Sequence, residues 1–367
     1  MRVPFNDLTV PTEQVREEFL HEVNNLFDQK QFILGKSVEE FENNWSEKIG
    51  TKFCLGVSNG ADALYLSLVA CGIKPGDEVI TQGTAYNASV TAILRAGAQP
   101  RFADIDPETL TIGIKNVDKL INKNTKAILP VHLYGQPGKL SQLKTLAQNK
   151  NLSIIEDCAQ AHLAEFEGKK AGSWGTVGAF SFYPTKNLGA FGDAGAITTN
   201  DERIYHEILA RRNLGQIGKN DHKFLGYNMR LDPIQALVLN LKLKYLKQNT
   251  RIRQNAADYY IQLIHKTGLP FKPQALVKGA THVYHLFVVE SLKNNRDELI
   301  KKLEVAGIDA AVHYPTPVYN QPFYQDPKDL CPVTDLVSSR IFSLPLFVGI
   351  TKIQQEYMVR SLTNILK

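Results

Sequence analysis

The chain has 367 residues, 43% hydrophobic and 22% charged, an ordinary globular balance at a length that exceeds the usual single core, so two domains are expected. The net charge of +5 and pI near 8.8 come with no Lys/Arg-rich run of nucleic-acid type, and Lys242, Lys244 and Lys247, interleaved with leucines, predict the solvated face of an amphipathic helix. No apolar stretch is long enough to span a bilayer, the start Met1-Arg-Val-Pro-Phe-Asn6 lacks a signal-peptide core, and Cys54, Cys71, Cys158 and Cys331 show no paired spacing; together these predict a cytoplasmic protein with reduced thiols and no metal site.

In chain order, the first strand is expected over residues 53–57. It breaks at Ser58-Asn-Gly60 and enters a helix over 61–70. Free amides at a helix start form an anion site, and Gly60 and Ala61 offer backbone donors to a phosphate. A plain turn capped by Ser58 or Asn59 is the competing reading. Further strands are expected at 78–81, 100–103, 127–132, 152–155, 177–182 and 196–199, with helices at 88–96 and 139–148 between them. Such alternation predicts a mainly parallel sheet covered on both faces, with ligands at the loop edges. Helices are expected at 201–213 and 233–249, Asp232 capping the latter before a first-turn proline. The last third changes character: strands at 284–289 and 310–313, and helices at 296–305 and 353–366, predict a small α+β domain. The boundary is expected near residue 245, giving domains 1–245 and 246–367.

Two segments carry the chemistry. The strand ending Ile154-Ile-Glu-Asp157 delivers a carboxylate to the expected crevice, with Gln160 one turn on. Asp157 also reads as a helix N-cap, a role that can coexist with the first. Lys186 lies in Ser181-Phe-Tyr-Pro-Thr-Lys186-Asn-Leu-Gly-Ala-Phe-Gly-Asp-Ala-Gly-Ala196, between two apolar runs. A lysine that forms a Schiff base needs a fixed position, partial desolvation and room for a flat cofactor, which the small residues after Lys186 supply. An anion against a ring nitrogen is what pyridoxal phosphate requires to act as an electron sink. A lysine, a pyridinium partner and a phosphate cradle together point to that cofactor. Cys158, beside Asp157, reads as small apolar filler.

The chain resembles the sugar aminotransferases of the DegT–DnrJ–StrS family, nearly end to end. The resemblance rests on Phe32-Ile-Leu-Gly35 with Phe41-Glu42, Ser58-Asn-Gly-Ala-Asp-Ala-Leu64, Gly76-Asp-Glu-Val79, His132-Leu-Tyr-Gly-Gln136, Glu156-Asp-Cys-Ala-Gln-Ala-His162, Ser181 to Lys186, Gly226-Tyr-Asn228-Met-Arg230-Leu-Asp232, Gln235-Ala236 and His313-Tyr-Pro315. It implies an α/β fold of fold type I, a seven-stranded, mainly parallel sheet between helices with a smaller C-terminal α+β domain, and a homodimer. Lys186 matches the Schiff-base lysine and proton shuttle, Asp157 the pyridinium partner and Gln160 the partner of the phenolic oxygen. Ser181 matches a phosphate-binding hydroxyl beside Gly60 and Ala61, Tyr86 the aromatic stacked on the cofactor, and Asn228 a phosphate contact from the neighbouring subunit. Many relatives have threonine where this chain has Ala61 and glycine where it has Leu163, which is expected to narrow the pocket wall.

The resemblance further implies an amino donor, glutamate, and a nucleotide-linked keto-sugar acceptor. Residues 226–236, with 183–190 and 192–196, most resemble enzymes that aminate carbon 3 of dTDP-linked 6-deoxy-3-ketohexoses, sugars of surface polysaccharides or macrolides. Tyr183, Arg230, His313 and Tyr314 are candidate substrate contacts, and Lys219 a weaker one. His132 and His162 are expected to pack rather than react. A lyase acting on amino acids is the alternative enzyme and needs an arginine clamp, for which Arg340 and Arg360 are candidates. A non-catalytic regulator is the alternative outside enzymes, and a DNA-binding extension, expected of one, is not seen.

Overall fold

The computed structural model describes residues 1–324 and 329–366. Its main sheet has seven strands: β1 (Phe53–Val57), β2 (Glu78–Gln82), β3 (Gln99–Ala103), β4 (Thr125–Ile128), β5 (Ser153–Asp157), β6 (Val177–Ser181) and β7 (Gly195–Thr199). The spatial order is β1-β7-β6-β5-β4-β2-β3. Only β7 runs against the rest, pairing antiparallel with β1 and β6. All five residues of β7 are buried, as an internal strand covered on both faces must be.

Helices cover both faces. On one, helix α1 (Gly60–Ala70) packs with helices Asn87–Arg95 and Glu202–Arg211 around Leu55, Val79, Ile93 and Ile208. Seven of its residues are buried, so it is a core helix rather than a one-sided amphipathic one. On the other face, Lys36–Ile49 and α2 (Pro233–Leu243) enclose Phe41, Trp45, Phe180, Phe182 and Leu239. A second core lies in the last third. There a three-stranded antiparallel sheet, Phe271–Pro273, Phe287–Ser291 and Ile341–Leu344, packs with α3 (Leu246–Thr267), α4 (Arg296–Val305) and α5 (Lys352–Ile365) around Tyr260, Leu303 and Met358. Val3 belongs to this second core and bridges to Ile308.

Four expectations change. The helix expected over 233–249 breaks between α2 and α3, at Lys244 and Tyr245. Lys242 on α2 is not on a solvated face. It is buried, donates to the Gly189 carbonyl at 2.8 Å and lies 4.3 Å from the centre of the Phe191 ring. Burial pushes its pKa down to about 8. The strand expected from residue 284 starts at Phe287, because Tyr284 has a left-handed φ of 47°; the strand expected over 310–313 is a single bridge, Ala311 to Ser343. Among the described residues no helix is long and apolar enough to cross a membrane.

Candidate active site

The parallel strands β1, β2, β4, β5 and β6 all end at one edge of the sheet, and the candidate residues lie there. β1 runs out into Ser58-Asn-Gly60. The Asn59 side chain caps α1, its oxygen accepting from the Asp62 amide at 2.8 Å. The capping reading is therefore correct, and it leaves the anion reading intact. The cap uses the Asp62 amide, while those of Gly60 and Ala61 have no partner among the described residues. Both lie at the positive end of the helix dipole. Across from them stands Ser181, the last residue of β6. A Cβ on Gly60 would sit 2.5 Å from the Ser181 Cβ, and one on Gly195 would meet the Asn59 carbonyl at 2.4 Å. Glycine at these two points leaves the space that the anion reading needs.

Asp157 ends β5 and is 4% exposed. Its Oδ2 accepts from the Ser89 hydroxyl at 2.7 Å and its Oδ1 from the Ala159 amide at 3.1 Å. The residues after it form turns rather than a helix, so the Ala159 bond is a local turn contact and the expected helix cap does not exist. Ser89, on the helix that Tyr86 precedes, escaped the sequence reading. A buried serine three residues after that tyrosine was its only signal.

Lys186 retains some surface exposure, yet protein packed around its ammonium desolvates it. Its pKa falls to about 8, with Asp157 pulling the other way. Its Nζ makes no hydrogen bond among the described residues. The loop is held from its backbone instead: the Lys186 amide donates to Tyr183 at 2.8 Å, and Asn187 Nδ2 to the Val283 carbonyl at 2.9 Å. Three imidazoles stand near enough to feel the Lys186 charge. Burial, with that charge second, pushes His162 down to about 3 and His313 to about 4, and His285 is likewise well below its ordinary value. All three are neutral at neutral pH, so none adds a positive charge beside the lysine. His285, which the sequence reading also missed, lies 3.3 Å from Asn187 Oδ1.

Gln160 accepts from the Tyr134 amide at 2.6 Å through Oε1 and directs Nε2 at the Tyr314 hydroxyl, 3.4 Å away. The Tyr86 and Tyr314 rings are 5.0 Å apart. Lys186, Asp157, Gln160, His313, Tyr314 and Tyr86 thus form one cluster. The His313 ring stacks on Phe5 at 5.3 Å and contacts Ser343 Oγ at 3.0 Å. Tyr183 and Tyr86 are about half exposed. Asn228 is exposed in a segment bridged to Asn213, and Arg230, bridged to Val57, donates to Asn213 Oδ1 at 3.0 Å. Lys219 is exposed in the hairpin of residues 216–222. Arg340 is held near Glu290 at 3.5 Å, and Arg360 is exposed on α5; neither is drawn into the cluster as a carboxylate clamp.

His132 and His162 pack, as expected. His132 Nε2 meets Glu156 at 3.0 Å, and His162 Nδ1 accepts from the Leu188 amide at 3.1 Å. Glu156 also takes the amides of Gly172, Trp174 and Gly175 at 2.7–2.9 Å. The Cys158 thiol is pushed well up by burial, and it is inert filler. Leu163 has a left-handed φ of 63°, the physical reason a glycine suits that position. Its side chain packs against the core around Trp45 and lines an outer groove with Glu47 and Tyr284.

Residues 13–363 match the DegT/DnrJ/EryC1/StrS aminotransferase family. The chain belongs to that family, and it is a sugar aminotransferase of fold type I that uses pyridoxal phosphate. It is 37% identical to a pleiotropic regulatory protein of Geobacillus stearothermophilus (99% of this chain, 98% of that one). It is 36% identical to a UDP-N-acetyl-3-dehydro-alpha-D-glucosamine 3-aminotransferase of Acidithiobacillus ferrooxidans (99% and 97%), and 37% identical to a dTDP-3-amino-3,6-dideoxy-alpha-D-galactopyranose transaminase of Aneurinibacillus thermoaerophilus (99% and 99%). Among solved structures, DesV of S. venezuelae in complex with a ketimine intermediate superposes with a TM-score of 0.95 at 36% identity, covering 100% of this chain and 99% of that one.

Proposed function

We propose that the chain places an amino group on the keto carbon of a nucleotide-linked hexose. The substrate we favour is a dTDP-linked 6-deoxy-3-ketohexose, giving the 3-amino-3,6-dideoxyhexose, with glutamate as donor. The observation that carries the reading is a desolvated, unbonded lysine amine with its pKa near 8, set beside a buried carboxylate and a glycine-lined anion cradle. When bound, pyridoxal phosphate supplies an electron sink through its protonated ring nitrogen.

The residues fit that group. Asp157 is the anion for the ring nitrogen, held by Ser89 and the Ala159 amide. Gln160 turns a donor toward the phenolic oxygen. The Gly60 and Ala61 amides and the Ser181 hydroxyl would hold the phosphate, and Tyr86 would cover the ring. Lys186 anchors the cofactor and then carries the proton at Nζ. A base must be neutral to act, and desolvation frees half of the amine at a pH near 8 instead of 10.5. Both halves of the reaction use the same amine, so its desolvation serves both.

Tyr183, Arg230, His313 and Tyr314 form the substrate side. Arg230 keeps guanidinium donors beyond its Asn213 bond, which suits a pyrophosphate. The exposure of Asn228 supports its reaching a second copy's phosphate site in a homodimer, and four unpaired cysteines support a cytoplasmic setting. The relative acting on a dTDP-linked 3-amino-3,6-dideoxyhexose supports the dTDP reading, while the UDP relative at similar identity keeps a UDP-linked 3-keto sugar as the second reading. A purely regulatory role fits poorly with a lysine, a carboxylate and a cradle all in place.

The test is a single turnover of enzyme loaded with pyridoxamine phosphate. A dTDP-linked 3-keto-6-deoxyhexose should restore the pyridoxal form within one catalytic cycle. If only a 4-keto sugar does so, the carbon-3 assignment is wrong.

A further inference from the structure

Tyr134 is fully buried, yet its backbone is left-handed at φ 65°. A bulky residue in that region is rare, and the surrounding structure must hold it there. Both ends of the residue are committed. Its amide donates to Gln160 Oε1 at 2.6 Å, and its hydroxyl donates to the His313 carbonyl at 2.5 Å. A carboxamide has one accepting and one donating end. Because the Tyr134 N–H occupies the oxygen, the Gln160 NH2 is the end left to face Tyr314 and the cofactor side.

The same turn receives the small-domain loop. The Val283 amide donates to the Gly135 carbonyl at 2.8 Å and the Leu286 amide to the Tyr134 carbonyl at 3.2 Å. A Cβ at Gly135 would come within 2.9 Å of the His285 nitrogen. One residue of the large sheet's edge therefore touches the cofactor-side glutamine, the loop beside Asn187, and the His313–Tyr314 wall.

We propose that Tyr134 is a positioning residue that holds the two sides of the site through separate groups. Its N–H fixes which end of Gln160 faces the cofactor, and its hydroxyl fixes the height of the His313–Tyr314 wall against the keto-sugar. The inference rests on the proposed role of that wall as the sugar side.

Tyr134→Phe separates the two functions, since it keeps the N–H and removes only the hydroxyl. It leaves the His313 carbonyl, part-buried at the site, without its donor. In the holoenzyme, the variant should retain cofactor absorbance and run the glutamate half-reaction at the wild-type rate. KM for a dTDP-linked 3-keto-6-deoxyhexose should rise about tenfold while kcat falls less. Equal losses in both half-reactions, or no change in KM, would overturn the proposal. Amide hydrogen exchange on the same holoenzyme supplies an arm that needs no sugar. Exchange over residues 310–316 should quicken about tenfold while residues 153–162 stay unchanged; unaltered exchange over 310–316 would also overturn it. If wild-type enzyme fails to turn over that sugar, the substrate reading has failed, and the exchange arm still decides the tether.

Discussion

Asp157 and Lys186 are held in opposite ways. The carboxylate is fastened by two hydrogen bonds, and the amine is left bare in a desolvated place. A group that must stay charged is stabilised by donors, and one that must lose its proton is stabilised by none. Ser89 is the adjustable member of this arrangement. Ser89→Ala should retain the cofactor but lower kcat by about ten- to a hundredfold, a range set by the ~1.5–3 kcal/mol of a hydrogen bond to a charged group; kcat within twofold of wild type would show that the hydroxyl does not matter. Asp157, Gln160 and Lys186 could be singled out from the sequence because each stands in a motif whose chemistry is local. Ser89 was not, because its partner is 68 residues away and only the fold brings them together. Lys242 was misread for a related reason. A lysine between leucines reads the same whether its helix face is wet or, as here, turned onto the Gly189 carbonyl.

At the scale of elements, the site is a consequence of parallel strands sharing a direction. Each strand ends where the next loop must turn, and five such ends meet. The proposed cradle between β1 and β6 depends on a missing side chain. Gly60→Ala puts a methyl 2.5 Å from the Ser181 Cβ, so the two strand ends must part. Affinity for pyridoxal phosphate, measured by titration of the apoprotein, should fall at least tenfold with the far-ultraviolet circular dichroism unchanged; wild-type affinity would mean the cradle lies elsewhere. The strands of the main sheet were legible as short apolar runs, most within a residue or two of their bounds. The failures cluster where backbone geometry overrode pattern. Tyr284 turns left-handed to let its loop reach Gly135, the segment before His313 keeps one bridge instead of a strand, and the long apolar helix bends at Lys244 and Tyr245.

At the scale of the molecule, the clusters on the two faces of the main sheet are distinct from the core of the last third, and we propose the domain division near residue 245, between α2 and α3, with Val3 reaching back to the latter core. Composition and length alone ask for more than one core; the return of the first residues was not legible, since nothing local marks a long-range bridge. The interior holds several neutral histidines. Burial pushes His162 and His282 down to about 3, against 6.5 in an unfolded chain. Between those values the unfolded chain binds protons that the fold refuses. The stability they contribute is therefore full above pH 6.5 and is lost as pH falls toward 3, by up to about 1.4 kcal/mol per unit for each. The thermal midpoint should drop by about 5 °C or more from pH 7.5 to pH 5, and a flat profile would show that these rings are not buried neutral. The central claim is that one amine, at Lys186, carries the cofactor. Borohydride treatment of the protein loaded with pyridoxal phosphate, followed by peptide mapping, should leave a single pyridoxyl label on Lys186 and none on Lys242. A label on another lysine, or none at all, would contradict the account.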